Sequence, residues 1–482
     1  MNKIPTVIFF CYRLIDFRLL FNSKVFKNCS DRMSVVVVVP KSAYPYCKKI
    51  LPKKIKLRIL NHAIVKEGHY KADFKNKIEN YFRNIFSLTY AKNKNFRDCM
   101  SQKPQIDAFL NTQKSKGPLK YLLANCIVQI ALLISNFRLL RNFLSSILFL
   151  LLKNDAHRNI YTEFKPDLIV VGSMGLDVDA QVIHEARSNN IKTLVINQSW
   201  DRIVCKGYPI IHPDYLIVWN KHMKDESIFY LDMPSNSIFI EGAANWDYIF
   251  KKKKKIDKKT FFKSINLNPK LKTIYYPLSS AFWHEELINN LNQFLIARQK
   301  KKLNNNLQII FRVHPYYWIA DKKHRNELFS ILSKLEKIKG FHIDYNKVIG
   351  TGNSYILTDK DQISLLNFYE HADVCISVLS SSMLEMSFFG KPSFNFVFGV
   401  GKMRGHKIEL KNYNLHHINH LKSFNLIKNI NAFSDLLKEL NNIDKNKIEK
   451  LFIKNFIFSE AGVNLGEASI AYANRILKLS TI

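Results

Sequence analysis

The sequence predicts an α/β fold in which two doubly wound, Rossmann-like parallel sheets face a central cleft. Short, β-branched apolar runs alternate with longer helical patterns, this alternation occurs twice along the chain, and a lysine-rich stretch separates the two series. Because parallel strands joined by helical crossovers form doubly wound sheets, each series predicts one such sheet. The length of 482 residues agrees, since it exceeds what one hydrophobic core usually holds.

The first series predicts a domain over residues 1–250. Buried strands are expected from PTVIFF, VVVVV, DLIVVG, KTLVIN and DYLIVW, because each run is short, apolar and bounded by turn or charged residues. A mainly helical section over about 70–155 interrupts these strands as an insertion. The stretch KKKKKIDKK begins at residue 251, where like charges resist burial, so residues 251–270 are expected to form a basic linker.

The second series predicts a domain over residues 271–482. Its strands are expected from KTIYYP, LQIIFRVHP, FHIDY, DVCISV and SFNFVF. Helices are expected between and after these strands, near 284–299, 323–338, 361–371, 432–457 and 464–479.

The charge balance predicts an anionic partner. Lys and Arg number 73 against 39 Asp and Glu, which gives a formal net charge of +34. The basic residues are dispersed and carry no nucleic-acid motif, so phosphorylated small molecules or an acidic membrane face are favoured over nucleic acid. The seven cysteines form no CxxC pair and no Cys/His cluster at metal-ligand spacing. We therefore expect no disulfide framework, no structural zinc or other metal, and a reducing, cytoplasmic location.

One apolar segment is a candidate for membrane contact. Residues 121–152 are strongly hydrophobic, but Arg138 and Arg141 divide them into stretches shorter than the roughly 20 residues needed to span a bilayer. Two alternatives are open: a buried helical hairpin, or an in-plane contact in which the arginines meet lipid phosphates. The second alternative predicts a peripheral position at the inner face of the plasma membrane.

Three consecutive serines predict an anion site in the second domain. Ser380, Ser381 and Ser382 lie between the strand pattern DVCISV and the helix pattern SSMLEMSFFG. Free backbone N–H groups and the positive end of a helix dipole converge at such a junction, and the hydroxyl groups add donors. Because an N-cap requires one serine and not three, phosphate binding is the favoured interpretation.

Further residues at strand ends of this domain should reach the same crevice. Arg312 and His314 end the pattern LQIIFRVHP, and both side chains can donate hydrogen bonds to phosphate oxygens. Glu385 follows Ser382 by three residues, on the first turn of the predicted helix. Its carboxylate could accept both hydroxyl groups of a ribose or form a capping box with Ser382, and the spacing leaves both open.

The first domain is expected to supply an acceptor side and a catalytic base. Asp177 and Asp179 follow the loop GSMGL and open the next predicted helix, and Asp201 lies in NQSWDRIVCKG after the next strand. A carboxylate at a strand end in a cleft can take a proton from a hydroxyl group if its pKa is raised, although any of the three aspartates could instead be an N-cap or a turn residue; Asp201 and then Asp177 are the favoured bases. The second segment also carries three candidates for the acceptor side: Gln198, Trp200 and Lys206.

Together these segments resemble the GT-B glycosyltransferases of bacterial surface-polysaccharide synthesis. RVHP and DVCISVLSSSMLEMSFFGKPSF are similar to the nucleotide-binding half of that superfamily, and INQSWDRIVCKG, PDYLIVWNKHMKDESI and IFIEGAANWDYI are similar to the other half. The resemblance covers roughly residues 165–400. It implies that His314 contacts donor phosphate, that Ser380 to Ser382 hold phosphate or the nucleotide, and that Glu385 holds the ribose.

The function implied by this resemblance is transfer of a sugar from a nucleotide-activated donor to a glycan or lipid-linked acceptor at the cytoplasmic membrane face. Asp201 or Asp177 would act as base, while Arg312, His314 and the serines would stabilise the leaving phosphate. No cofactor is expected, since the nucleotide-sugar is a substrate. Two alternatives on the same fold are a polyol-phosphate transferase of the CDP-glycerol type and a sugar-nucleotide epimerase. A non-enzymatic nucleic-acid-binding protein is a remote third.

Overall fold

A computed structural model gives the structure of the chain. Parts of the predicted helical insertion, including 71–100, and most of the lysine run, 252–255, lie outside the described residues. The residues that the structure describes are 4–60, 65–66, 69–70, 103–134, 136–151, 155–174, 177–201, 203, 208–209, 211–251, 256–280, 283–318, 322–345, 348–351, 354–378, 380–396, 400–403, 406–409, 416–422, 424, 426–443 and 450–481.

The first sheet contains seven strands, all paired in parallel: β1 (Thr6–Phe10), β2 (Ser34–Val39), β3 (Lys56–Ile59), β4 (Leu168–Val171), β5 (Lys192–Ile196), β6 (Tyr215–Val218) and β7 (Ile238–Ile240). Their order is β3-β2-β1-β4-β5-β6-β7, so the sheet grows in opposite directions on either side of β1 and β4. In sheets of this type, ligands bind at that switch point, outside the carboxyl ends of the strands.

The second sheet contains six parallel strands: β8 (Lys272–Pro277), β9 (Leu307–Arg312), β10 (Phe341–Asp344), β11 (Val374–Ser377), β12 (Ser393–Phe396) and β13 (Ile427–Ile430). Their order is β10-β9-β8-β11-β12-β13, which places its switch point between β8 and β11. The predicted fold, an α/β protein of GT-B type with two Rossmann-like domains, is confirmed.

Three strands of the two large sheets, β3, β7 and β13, have no counterpart in the predicted strands. Each lies at an edge of its sheet. Strands at an edge are covered less than inner strands, so they do not need a continuous apolar run. KLRI in β3 and IKNI in β13 mix charged or polar and apolar residues for this reason.

Helices flank both sheets. In the first domain they are α1 (Leu14–Leu20), α2 (Val25–Ser30), α3 (Tyr44–Ile50), α4 (Lys103–Lys114), α5 (Pro118–Ile134), α6 (Arg138–Leu151), α7 (Arg158–Phe164), α8 (Asp177–Ser188), α9 (Lys221–Leu231) and α10 (Asp247–Phe250). The later helices are α11 (Lys258–Ser264), α12 (His284–Gln299), α13 (Lys322–Glu336), α14 (Asp359–His371), α15 (Ser381–Ser387), α16 (His416–Lys422), α17 (Phe433–Asn441), α18 (Lys450–Ala461) and α19 (Ala468–Ser480).

Two helices lie where the predicted domain limits did not place them. α11 falls within the expected basic linker, yet Phe261 and Phe262 on this helix are buried against Tyr275 of the second sheet. α19 belongs to the range 271–482 that the sequence predicts as the second domain, but Tyr472 and Ile476 on this helix pack into the core of the first domain. The apolar faces of these helices, and not their order along the chain, decide which sheet they cover.

The apolar segment 121–152 forms α5 and α6, and this hairpin is only partly buried. Large apolar side chains are exposed on both helices, Leu139 to 83%. Arg141 is buried and donates hydrogen bonds of 2.9 and 2.6 Å to Asp232, so it does not face lipid phosphates as one alternative supposed. Among the described residues no single helix has the length and hydrophobicity to cross a membrane. Pro118–Ile134 and Arg138–Ile147 reach that length only as a pair bent by 115°.

Candidate functional site

A cavity of about 270 Å³ lies between the two domains. The first domain contributes α1 and the segments after β5, β6 and β7, while the second contributes the segments after β8, β9 and β11. The carboxyl ends of both sheets therefore meet at this cavity, where doubly wound sheets bind their ligands. Its wall includes residues predicted from both halves of the sequence, namely Gln198, Trp200, Asp201, His314, Ser380 and Ser381.

A second cavity of about 130 Å³ adjoins the first and extends it into the second domain. The two share Arg18, His314 and Ser381 in their walls. The smaller cavity also brings together the other residues predicted to bind phosphate or ribose: Arg312, Ser382 and Glu385.

Arg312 provides a buried donor in the smaller cavity. It is 5% exposed, its Nη1 donates to Asp344, and its Nη2 lies 3.6 Å from Asp361 Oδ1, beyond hydrogen-bond distance. Burial lowers the pKa of Arg312, but Asp344, Tyr275 and Asp361 together raise that pKa by more, so the guanidinium stays charged. Within the described residues, Arg312 Nη2 and the hydroxyl of buried Tyr275 make no hydrogen bond. Unpaired buried donors beside a cavity indicate a polar ligand.

His314 lies in the walls of both cavities as a neutral imidazole. Burial and the positive charge of Arg18 lower the pKa of His314 to about 4. Its Nδ1 accepts a hydrogen bond from the backbone N–H of Tyr316 at 3.1 Å, so the proton of the neutral ring is on Nε2. His314 can therefore donate one hydrogen bond to a ligand oxygen without adding a positive charge.

All three serines line the cavities, and one of them also caps a helix. Ser380 is the N-cap of α15, and its Oγ accepts a hydrogen bond from the Ser382 backbone N–H at 3.2 Å. Ser381 lies in the walls of both cavities, and Ser382 in the wall of the smaller one. The N-cap thus accounts for one serine, and two hydroxyl groups are left beside the cavities.

Glu385 is fully buried where the two domains touch. Its Oε1 accepts hydrogen bonds from Arg18 Nη2 at 2.7 Å and from Trp246 Nε1 at 2.9 Å, and its Oε2 accepts one from the Tyr369 hydroxyl. The capping box with Ser382 is not formed, because the N-cap of α15 is Ser380 and the carboxylate oxygens of Glu385 bind these other groups. Ribose binding by Glu385 stays a prediction.

Gln198 provides an acceptor on the side of the first domain. It is 2% exposed, its Nε2 donates to Asp16, and its Oε1 has no hydrogen-bond partner among the described residues. Gly172, directly after β4, makes this position possible, because a Cβ there would lie 1.7 Å from Gln198 Nε2. The first glycine of the loop GSMGL thus leaves the space that the Gln198 side chain occupies.

Trp200 and Asp201 follow Gln198 in the same wall. Trp200 packs against the apolar cores of both domains, with its ring centroid 4.9 Å from that of His417. Asp201 accepts a hydrogen bond from the Ser199 hydroxyl. Two candidates of the first domain remain. Lys206 lies outside the described residues. Asp177 is the first residue of α8, but the structure does not describe its side chain.

Asp179, in the first domain, is a carboxyl group with a raised pKa, but it lines neither cavity. Burial raises the pKa of Asp179 to about 6, although Arg13 lowers it in part. Asp179 accepts a hydrogen bond from Arg13, next to Asp16, and Asp16 in turn accepts one from Gln198. Arg13, Asp16 and Asp179 therefore form a buried charged cluster that holds Gln198 in the cavity wall through its hydrogen bond to Asp16.

Sequence reasoning missed several residues of the cavity, among them Arg18, Asn245, Ser279, Ser280 and Trp283. A signal for two of them is present in the sequence. PLSS follows the strand KTIYYP in the same way that VLSSS follows DVCIS, so the rule applied to Ser380 to Ser382 also selects Ser279 and Ser280. No such signal exists for Arg18, whose partner Glu385 is 367 residues away.

The structure is thus a two-domain protein of GT-B fold with a polar cavity between its domains. No protein family model and no curated protein sequence matches the chain. Among solved structures, UDP-GlcNAc 2-epimerase from Neisseria meningitidis bound to UDP-GlcNAc superposes with a TM-score of 0.55 at 11% identity, over 98% of this chain and 100% of that chain.

Two further solved structures give the same result. A candidate UDP-N-acetylglucosamine 2-epimerase from Listeria monocytogenes has a TM-score of 0.51 at 10% identity, over 99% of this chain and 96% of that chain. The complex of MnaA from S. aureus with UDP has a TM-score of 0.50 at 10% identity, over 98% of this chain and 96% of that chain. At these identities the likeness shows the fold alone.

Proposed function

We propose that the chain is an enzyme that processes a nucleotide-activated sugar bound in the cleft. The observation that carries this proposal is a pair of buried donors beside the smaller cavity, Arg312 Nη2 and the Tyr275 hydroxyl, that make no hydrogen bond to the described residues. A pyrophosphate supplies the charged acceptor oxygens that such donors require, and His314 and Ser381 add two more donors. The nucleoside and the sugar would then occupy the larger cavity.

The comparisons support a nucleotide-sugar as the ligand. The Neisseria meningitidis protein is described as bound to UDP-GlcNAc, and the S. aureus protein was solved with UDP. Their chains match this one over nearly the whole length, including both domains that form the cleft. UDP-linked sugars are therefore the first substrates to test.

Epimerisation of the sugar is the reaction that the comparisons favour, because two of these neighbours are named as UDP-GlcNAc 2-epimerases. An epimerase moves a proton from one face of a sugar carbon to the other, so it needs acid–base groups but no acceptor. Asp201 is the carboxylate that we propose for this role, since it lies in the cavity wall. Asp177 is the second candidate from the same domain.

Glycosyl transfer at the cytoplasmic face of the membrane is the second candidate function. It is favoured by the exposed apolar residues of α5 and α6, such as Leu139 and Phe143, and by the net charge of +34. Such a surface would hold the enzyme near a lipid-linked acceptor. Asp201 would then deprotonate the acceptor hydroxyl, while Arg312 and His314 stabilise the leaving phosphate. Polyol-phosphate transfer would use the same groups.

A panel of UDP-, CDP-, GDP- and CMP-linked donors separates these reactions. Each donor is incubated with the full chain, first without an acceptor and then with membrane lipid extract, and products are followed by NMR. Epimerisation predicts a new UDP-sugar without acceptor, and glycosyl transfer predicts release of nucleotide only with acceptor. If no donor raises the thermal unfolding midpoint or is turned over under either condition, the proposed function is wrong.

A further inference from the structure

A group of histidines and carboxylates joins the two domains outside the walls of the two cavities. His222 and Glu226 are four residues apart on α9 of the first domain, so their side chains lie on one face of that helix. His416 and His420 have the same spacing on α16, which precedes β13 of the second sheet. Glu460, near the end of α18, completes the group.

Three ligand atoms in this group converge on one point. His222 Nε2 lies 3.0 Å and His416 Nε2 lies 2.9 Å from the same atom, Glu226 Oε1. All three ligand atoms are within 4.8 Å of one another. In a tetrahedral zinc site with bonds of 2.0–2.1 Å, neighbouring ligand atoms are about 3.3 Å apart. Small movements of these three side chains would therefore bring the ligand atoms to the spacing of a zinc site.

The surroundings hold these ligands in place. The ring of His420 stacks on that of His222, with centroids 4.0 Å apart and planes 7° apart. His420 Nε2 is in turn hydrogen-bonded to Glu460 Oε1 at 2.8 Å. Glu226 and Glu460 are 7% and 4% exposed, so two carboxylates are buried beside the imidazoles. Buried carboxylates require a positive partner, which a divalent ion supplies.

We propose that His222, Glu226 and His416 bind one divalent transition-metal ion of the zinc type and thereby connect α9 of the first domain to α16 of the second. Two imidazoles and one carboxylate suit zinc, and the fourth position is available to water or to a neighbouring group of the cluster. The expectation of no structural zinc rested on short Cys/His spacings. Such spacings do not reveal ligands that lie far apart in the sequence, and Glu226 and His416 are 190 residues apart.

The position of this site links it to the cleft. His417 follows the proposed ligand His416, and its ring centroid lies 4.9 Å from that of Trp200 in the cavity wall. A metal ion at His416 would therefore fix both the separation of the domains and the position of Trp200.

The test uses the full chain without a polyhistidine tag, treated with EDTA and titrated with ZnCl₂ by calorimetry. We expect one equivalent to bind with a dissociation constant at or below about 1 μM, and Co²⁺ to give visible absorption bands of a four-coordinate site. His416→Ala and Glu226→Gln should each weaken zinc binding at least about 100-fold. His371→Ala is the matched control, a histidine at a helix end far along the chain from this group, and should bind zinc as the wild type does.

X-ray absorption of the zinc-loaded wild type keeps the test valid if a variant does not fold. We expect two imidazole nitrogens and light oxygen ligands near 2.0 Å. Absence of saturable binding to the wild type would overturn the proposal and leave an ordinary hydrogen-bonded contact between the domains. The proposal would also be overturned if His416→Ala bound zinc with the affinity of the wild type. A sulfur ligand at about 2.3 Å would overturn it as well, because it would place the metal at a cysteine.

Discussion

His314 is a residue whose role follows from a single backbone contact. Because Nδ1 accepts the Tyr316 N–H, the proton of the neutral ring lies on Nε2, and that nitrogen can donate but cannot accept. A base needs a free lone pair directed at the substrate, so a role as base does not suit this tautomer. We therefore propose that His314, predicted as a catalytic residue, acts through a hydrogen bond to the leaving phosphate.

The lowered pKa of His314 predicts how the stability depends on pH. The pKa is about 4 in the folded chain and about 6.5 in the unfolded chain, so the unfolded chain takes up the proton first as the pH falls. The folded state therefore loses stability between pH 6.5 and 4. In His314→Gln the decrease in unfolding free energy between pH 7.5 and 5 should be smaller by about 2 kcal/mol.

Urea unfolding of the wild type and His314→Gln at both pH values measures this difference. The decrease in unfolding free energy should be larger in the wild type. An equal decrease in both proteins would mean that His314 titrates in the folded chain as it does in the unfolded one.

Arg18 and Glu385 predict a charge-dependent contact between the domains. The carboxylate of Glu385 is fully buried, and Arg18 is the cation that binds it. Removal of this partner leaves a buried charge, so Arg18→Ala should lower the unfolding free energy by about 1–3 kcal/mol. In a Glu385→Gln background the cost of Arg18→Ala should be less than half as large, because no charge is left to balance.

A double-mutant cycle by urea unfolding gives both values. Arg32→Ala is a suitable control, since Arg32 is an exposed arginine that donates to Asn474, and its loss should cost at most about 0.5 kcal/mol. The same cost for Arg18→Ala in both backgrounds would show that the ion pair does not join the domains.

At the scale of elements, the inner strands of both large sheets could be predicted from the sequence, but of the four edge strands only β10 could. Inner strands such as β2 are buried on both faces and therefore read as unbroken apolar runs. β3 and β13 are short edge strands with charged or polar residues, and IKNI does not differ from many loop sequences. The position of α19 on the first sheet was also not predictable, because an apolar helix face does not identify the sheet that it will cover.

The helices α5 and α6 predict binding to an anionic membrane surface. Their exposed apolar residues would enter the lipid boundary, and the excess of Lys and Arg in the chain would be attracted to acidic head groups. The double substitution Leu139→Glu and Phe143→Glu should reduce co-sedimentation with vesicles of phosphatidylserine and phosphatidylcholine at least about tenfold, because it adds charge where apolar contact is needed.

The matched control for this test is Ile470→Glu, which adds a charge at an exposed apolar position of α19. It should leave vesicle binding nearly unchanged. Equal binding of the wild type and the double variant would exclude α5 and α6 as the membrane contact.

At the scale of the whole molecule, several residues that line the interdomain cavity could be predicted from the sequence, but the contacts between them could not. The rule that ligands bind at the carboxyl ends of parallel strands selected His314, Ser381 and Gln198, and all three lie in the wall of one cavity. Their hydrogen-bond partners depend on how the two sheets face each other. The ion pair of Glu385 with Arg18 forms across that interface, between residues that no local pattern connects.

The central claim is that phosphates of a nucleotide-sugar bind beside Ser381 in the interdomain cavity. Calorimetric titration of UDP-GlcNAc into the wild type, Ser381→Asp and Ser333→Asp tests it most directly, Ser333 being an exposed serine on α13. A carboxylate within about 4 Å of a phosphate costs several kcal/mol at an effective dielectric of about 20, so Ser381→Asp should lower the affinity at least about 100-fold. Ser333→Asp should bind as the wild type does. Wild-type affinity in Ser381→Asp, with the fold intact, would contradict the claim.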